Sequence, residues 1–189
     1  MARADRERWD ARYRSGHAAI GEPPSAFLVA QAALISGRVL DVAAGAGRNA
    51  LFLARRGCVV EAIDISRTGL RLAQAAAAAE GLRLLAVQAD LEHFPLRHNR
   101  YDAIINIRYL QRSLFPQLQR ALRPGGILVF ETFLIDQQTL GHPRHPEFLL
   151  QRGELRAAFS QCDILSYEEG LFGEAQPAYL ARMVARRRS

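Results

Sequence analysis

The stretch from Arg38 to Asp64, R-V-L-D-V-A-A-G-A-G-R-N-A-L-F-L-A-R-R-G-C-V-V-E-A-I-D, decides the fold. It predicts a buried strand over residues 39–43, a glycine turn, a helix over 49–56 and a second strand over 59–64 that ends on an acid. That pattern is half of a nucleotide-binding α/β unit. One residue inside the first strand sets the chemistry. Asp41 stands just before the glycines, where a pyrophosphate would have to approach, and like charges at close range are costly. A carboxylate there suits a cationic ligand instead.

Composition bounds the rest. With 189 residues the chain is long enough to bury a full sheet and its covering helices, and one unit spanning 1–189 is expected. Hydrophobic residues make up 49% and charges are spread throughout, as in globular proteins. The net charge of +6 comes wholly from arginine, because no lysine occurs. So complete an absence points to a coding bias rather than a local choice. A basic balance suits an acidic partner such as RNA. The arginines are scattered, however, and the densest run is Arg186-Arg187-Arg188. A solvated basic surface is therefore favoured, and nucleic acid is not expected as a partner. Cys58 and Cys162 stand far apart without metal-ligand spacing, so neither a disulfide framework nor a metal site is expected. No apolar run approaches the ~20 residues that span a bilayer. Near the start, Asp5, Glu7 and Asp10 interleave the arginines, unlike a transit peptide. A cytoplasmic protein that meets no membrane is expected.

Outward from the opening stretch, residues 3–15 predict a polar helix with Trp9 and Tyr13 four apart, an aromatic pair that favours packing over ligand contact. Gly16 and Gly21-Glu22-Pro23-Pro24 mark a loop. Ser25 is placed to cap a helix bearing Phe27, Leu28 and Leu34 that ends at Gly37, which makes residues 1–36 an N-terminal helical extension. Beyond Asp64, Ser66 caps an alanine-rich helix through Glu80. Strands are expected over 84–88, before Asp90, and over 101–106. A short helix over 116–122 and a tight turn at Pro124-Gly125-Gly126 lead into a fifth strand over 127–131. Residues 132–151, with His142, Pro143, Arg144, His145 and Pro146, predict a long irregular segment on the substrate side. A helix over 153–159 and strands over 163–167 and 178–184 follow, the last two joined by so short a loop that they must pair antiparallel. Short apolar strands suit a parallel sheet covered on both faces. Right-handed crossovers then give an α/β fold: a doubly wound, seven-stranded, mostly parallel sheet with an antiparallel last strand.

In such a sheet, ligands sit beyond the carboxyl ends of the strands at the switch in strand order. A polar residue stands at each of those ends: Asp41, Asp64, Asp90 and Asn106. Gly45 and Gly47 let the backbone turn tightly. Asp64, about 20 residues past the turn, is placed to accept ribose hydroxyls, and Asp90 to accept from an adenine amino group. Alone, G-A-G-R-N-A also suits a dinucleotide. Four acids and amides in register favour a ligand with an adenosine end, a sulfonium and no phosphate: S-adenosylmethionine.

The same residues carry a resemblance. L-D-V-A-A-G-A-G, A-I-D-I-S, Q-A-D-L, Y-D-A-I-I-N and A-L-R-P-G-G-I-L-V-F-E-T are similar to the class I S-adenosylmethionine-dependent methyltransferases, over nearly the whole chain. W-D-A-R-Y, P-S-A-F-L and G-R-N-A-L-F-L-A resemble, more narrowly, the small-molecule methyltransferases of the tellurite-resistance type. The resemblance implies that Asp41, Gly45 and Gly47 line the methionine end of the cofactor, with Ala43 and Asn49 of the same turn. It implies that Asp64 binds the ribose and Ile65 packs on the adenine. Asp90 and Leu91 would meet the adenine edge, and Asn106 the region near the sulfonium. Ala43 replaces the first glycine of the usual motif, which is tolerable if its φ is negative.

On the acceptor side, Arg108 and Tyr109 follow the fourth strand, Arg112 comes a turn later, Glu131 ends the fifth strand, and His142, Arg144 and His145 lie in the long segment. Arg108, Tyr109 and His142 are the catalytic candidates. Arginines suit an anionic substrate, and a soft nucleophile needs little help from a base. The expected activity is in-line methyl transfer to a small acceptor, anionic or softly nucleophilic. A cofactor-binding regulatory module without turnover, an RNA or protein methyltransferase and an NAD-dependent oxidoreductase remain open as alternatives.

Overall fold

The computed structural model describes residues 2–16 and 21–189. The part of the expected N-terminal extension at 17–20 lies outside the described residues. Seven strands form one sheet: β1 (Arg38–Val42), β2 (Val59–Asp64), β3 (Leu84–Gln88), β4 (Tyr101–Ile107), β5 (Leu122–Phe133), β6 (Asp163–Phe172) and β7 (Ala178–Arg186). Their order is β3-β2-β1-β4-β5-β7-β6. Strands β1 to β5 pair in parallel, whereas β7 runs antiparallel between β5 and β6. The doubly wound sheet with an antiparallel last strand is thus present. The order reverses between β1 and β4, which places the crevice at the ends of those two strands.

Six α-helices accompany the sheet among the described residues: α1 (Ala2–Arg14), α2 (Ala26–Gln31), α3 (Arg48–Arg55), α4 (Arg67–Ala79), α5 (Phe115–Ala121) and α6 (Glu154–Ala158). Ser25 caps α2 and Ser66 caps α4, each side chain accepting a backbone N–H of the first turn. The apolar residues of β1 and β4 alternate between two cores. Val39 and Ile105 join Phe27, Leu53, Val60 and Val129 on one face. Leu40 and Ile104 join Leu118, Leu128, Phe130 and Phe159 on the other. Burying a side chain of this size contributes ~1.5–3 kcal/mol, so covering both faces is what makes the short continuous runs stable. Strand β3 departs from this, because it is a sheet edge and leaves Leu85 exposed.

Three segments differ from expectation, and one of them is β6, which runs five residues past its expected end at 167 to Phe172. Pro124-Gly125-Gly126 is not a separate turn but the bulged start of β5. The Gly125 N–H donates to the Arg187 carbonyl and the Arg187 N–H to the Gly126 carbonyl, so the far end of β7 holds it extended. Gly125, at φ +78, absorbs the kink that another residue would resist. Residues 132–151 are less irregular than expected. β5 continues to Phe133, 3₁₀ turns occupy Ile135–Thr139 and Pro146–Phe148, and Leu134 bridges Leu150. Leu134, Leu149 and Leu150 are fully buried, so apolar anchoring fixes both ends of the segment. Among the described residues, no helix is long and apolar enough to cross a membrane.

Candidate functional site

Asp41 is the third residue of β1's buried run, directly opposite Ile105 of β4 at the order switch. Its carboxyl is pushed up to about 8, first by burial and then by the nearby Asp64, with Arg48 and the Ala50 amide pulling the other way. Its Oδ2 has no hydrogen-bond partner among the described residues. A buried acceptor left open costs free energy until a donor reaches it. A cationic donor would satisfy both the open lone pairs and the charge.

Asp64 ends β2 on the same side of the sheet. Its Oδ2 accepts the Gly45 N–H at 2.8 Å and its Oδ1 the Ser66 N–H at 2.7 Å. Burial raises its pKa above the ordinary carboxylate value despite those bonds. Asp64 therefore ties the glycine turn to the start of α4 and keeps lone pairs for hydroxyl donors. The two glycines have different tasks. A Cβ on Gly45 would sit 2.2 Å from the Tyr13 hydroxyl, so Gly45 keeps the turn open toward the site. A Cβ on Gly47 would meet Ala73 at 2.6 Å, so Gly47, at φ +81, serves the packing of α3 on α4.

Ala43 does not keep the expected negative φ. It stands at +54, in the left-handed region. Hydrogen bonds of the next residue enforce this: the Ala44 N–H donates to Ile63 and the Gly47 N–H closes back on Ala44. Holding an L-residue there costs ~1–2 kcal/mol.

Helix α1 covers this edge. Asp10 accepts the Ser66 hydroxyl at 2.6 Å and the Thr68 N–H at 2.9 Å, which docks α1 on the N-terminus of α4. Those bonds outweigh burial and hold its pKa below the ordinary value. Tyr13 reaches over the glycine turn, where burial and then Asp64 raise the pKa of its phenol. Trp9 stacks on Tyr13 with ring centroids 6.1 Å apart. The sequence showed Asp10 only as an acid among the arginines, and its docking role was missed although it lies between those two aromatics.

Farther along the edge, Asp90 accepts the Glu92 N–H at 3.0 Å and pairs with His93 Nδ1 at 2.7 Å. Leu91 is buried and Ile65 half-buried beside Asp64. Asn106, one residue before the end of β4, lies on the opposite face from Asp41, and its amide donates to the Tyr109 carbonyl at 2.7 Å, shaping the loop. The Tyr109 hydroxyl donates to Gln111. Burial, then Glu92 and Asp90, hold that phenol protonated. Asn49 is buried and accepts the Ser25 N–H at 3.0 Å, linking α3 to α2.

Arg108 has a partner that sequence reasoning missed. Its Nε–H donates to Glu131 at 3.1 Å, and Arg182 of β7 donates to the other oxygen of Glu131 at 2.7 Å. Glu131 is fully buried. The signal was available: Arg182 interrupts the apolar run of the last strand, and a charge buried in a strand must be paired. Arg112 is engaged elsewhere, gripping Glu154 with Nε and one terminal nitrogen. His142 is exposed, and only its carbonyl is held, by Gln137 at 3.1 Å. The imidazole joins none of the hydrogen bonds around Arg108 and Tyr109 among the described residues. His145 pairs with Glu147 at 3.6 Å.

Comparison with known proteins agrees with this geometry. The sequence model of a methyltransferase domain matches residues 39–126, from β1 to the bulged start of β5. Residues 39–126 are thus similar to a methyltransferase domain, and the sheet order is that of the Rossmann-like methyltransferase fold. Among relatives of this methyltransferase family, the malonyl-[acyl-carrier protein] O-methyltransferase of Enterobacter lignolyticus is 31% identical over 136 residues, covering 65% of this chain and 53% of that one. The chain spans about half the length of the curated relatives it matches. TehB from Haemophilus influenzae superposes with a TM-score of 0.78 at 19% identity, covering 94% of this chain and 66% of that one. A protein solved in connection with conversion of a disulfide bond into a thioacetal group during echinomycin biosynthesis has a TM-score of 0.78 at 26% identity, covering 97% and 92%. The family's cofactor is S-adenosyl-L-methionine. The residues present fit it: the open, fully buried Asp41 Oδ2 suits an ammonium, and no phosphate is needed at a turn flanked by two carboxylates.

Proposed function

We propose that this chain transfers a methyl group from S-adenosylmethionine to a small-molecule acceptor at the carboxyl ends of β4 and β5. The observation that supports it most is the unpartnered, buried Asp41 carboxyl beside Asp64 at the order switch. Asp41 binds the ammonium of the methionine end, with Ala43, Gly45, Gly47 and Asn49 forming the turn around it. Asp64 accepts the ribose hydroxyls. Ile65 and Leu91 pack on the adenine, Asp90 accepts from its edge, and Asn106 orders the backbone next to the reacting centre.

The bound cofactor supplies an electrophilic methyl on a sulfonium, so the protein's task is positioning and exclusion of water. Helix α1 closes one side through Asp10 and Tyr13. The loop after β4 presents Arg108 and Tyr109 to the acceptor. A phenol held protonated donates a hydrogen bond and does not serve as a base, which suits an acceptor that reacts in line with little base assistance. Residues 132–151, including His142, form the acceptor-side wall of a unit spanning the whole chain.

The test is transfer of a labelled methyl group from S-adenosylmethionine to thiols, selenite, tellurite, small phenols, carboxylates and bulk RNA. Label in a small-molecule product supports the proposal. Label only in RNA would move the acceptor to nucleic acid, and tight cofactor binding without transfer to anything would leave a regulatory module.

A further inference from the structure

Two arginine forks of this protein are each closed on one carboxylate: Arg55 grips Glu80 with two nitrogens, and Arg112 grips Glu154 likewise. Arg108 and Arg182 are not. Each donates only its Nε–H to Glu131, and the terminal nitrogens of both make no hydrogen bond among the described residues. A guanidinium carries five N–H donors, so both forks present unsatisfied edges. Two cations share one carboxylate, which leaves an excess positive charge in a half-buried place. Its crowding is visible in Arg108, whose pKa is lowered first by burial, with Arg48 and Arg182 adding to the effect.

The surroundings are aromatic. The Arg182 guanidinium lies 3.9 Å from the Phe172 ring centroid and 5.3 Å from that of Phe27, and Arg108 lies 4.5 Å from that of Phe133. Phe133 and Phe172 keep part of their surface open. Arg108 also holds a left-handed φ of +61, with its own N–H bonded to the Glu131 carbonyl at 2.7 Å. A bulky residue in that conformation is strained, and strain of this kind persists where the surroundings impose a particular aim.

The register fixes where the pair lies. Ile107, Glu131 and Arg182 form one row across β4, β5 and β7, on the same face as Asp41. Glu131 stands two strands across and two residues along from Asp41, a Cα separation of roughly 12 Å at ordinary strand spacing. A cationic cofactor end is attracted to Asp41 and repelled by two arginines. The pair is therefore free for the acceptor.

Resting on the methyltransferase reading above, we infer that Arg108 and Arg182, with Phe133 and Phe172, bind the anionic group of an organic acceptor with a flat apolar body, the class of aromatic or conjugated carboxylates. The carboxylate meets the two open forks, and the body lies against the rings. Glu131 holds both guanidiniums in place and competes with the ligand for their charge.

Calorimetric titration of the full chain with benzoate, benzyl alcohol and selenite tests this, with and without saturating S-adenosylhomocysteine. Benzoate should bind and benzyl alcohol should not. Arg182→Gln should weaken benzoate about tenfold, as loss of one charged contact does. Glu131→Gln should strengthen it several-fold, which a merely structural ion pair would not do. Neither variant should move S-adenosylhomocysteine affinity more than about twofold. Should Arg182→Gln fail to fold, Arg182→Lys keeps the charge but loses the fork and should still weaken benzoate. Binding of selenite but not benzoate would overturn the assigned class. Absence of benzoate binding in all conditions, or equal binding by wild type and both variants, would overturn the site. Failure of S-adenosylhomocysteine alone to bind would defeat the cofactor assignment while the benzoate result still judged the arginine pair.

Discussion

Binding of S-adenosylhomocysteine, which keeps the ammonium of the cofactor, should expel a proton from Asp41. With that carboxyl pushed up to about 8 in the free protein, about nine molecules in ten hold the proton at pH 7. An ammonium at Oδ2 favours the ionised form, so binding at pH 7 should release up to about 0.9 proton. Affinity should rise about tenfold per unit from pH 6 toward 8 and level off above that. Calorimetry in phosphate and in Tris measures the proton directly, because the two buffers take it up with different enthalpies. Asp41→Asn keeps the shape and removes the titration, so its affinity should be lower and nearly flat with pH. The same carboxyl has a stability signature. Its folded pKa lies above the unfolded value, so its contribution is present below about pH 4 and is lost as pH rises toward 8. Relative to Asp41→Asn, the free wild-type protein should lose stability across that window at up to about 1.4 kcal/mol per unit. Zero proton release, with wild type and Asp41→Asn sharing one pH profile, would refute the assignment of Asp41 as the open acceptor.

Other changes test the neighbouring parts. Ala43→Gly relieves a left-handed alanine worth ~1–2 kcal/mol and incurs the ~0.5–1 kcal/mol of glycine's extra chain entropy. The net gain of about 0–1.5 kcal/mol should raise Tm by up to about 6 °C in a chain of this size; a lower Tm would mean that the strain is absent. Asp64→Ala removes the acceptor for the ribose along with the Gly45 and Ser66 bonds, and should weaken S-adenosylhomocysteine at least about thirtyfold by calorimetry. Unchanged affinity would show that the ribose sits elsewhere. Asp10→Ala releases α1 from α4, a loss of about 1–2 kcal/mol, and should speed amide exchange in residues 3–14 without altering the sheet. Equal exchange in both proteins would mean that α1 is held by its aromatic pair alone.

What could be read in advance follows from the range of the forces involved. The β1–turn–α3–β2 unit was legible because its cues are local: an apolar run, glycines, and caps within a few residues. Asp41 stood out for the same reason, as a lone charge in a buried strand. The bulged start of β5 was not legible, because Pro124-Gly125-Gly126 is held extended by Arg187, more than 60 residues away. The φ of Ala43 depends on where Ile63 lies across the sheet, which side-chain pattern does not report. Arg182 and Glu131 pair only because β7 inserts between β5 and β6. Arg112 looked like a neighbour of the acceptor, but Glu154, 42 residues on, holds it. Tyr13 gave a packing signal and proved to overlie the turn as well, which no spacing rule distinguishes.

The central claim, that the edge from Asp41 to Asp90 is built for an S-adenosyl cofactor, rests most directly on one titration of the wild-type protein at pH 8, where about half of the Asp41 carboxyls are already ionised. S-adenosylhomocysteine should bind at one site per chain, and NADH should give no saturable heat. Binding of NADH without S-adenosylhomocysteine would contradict it.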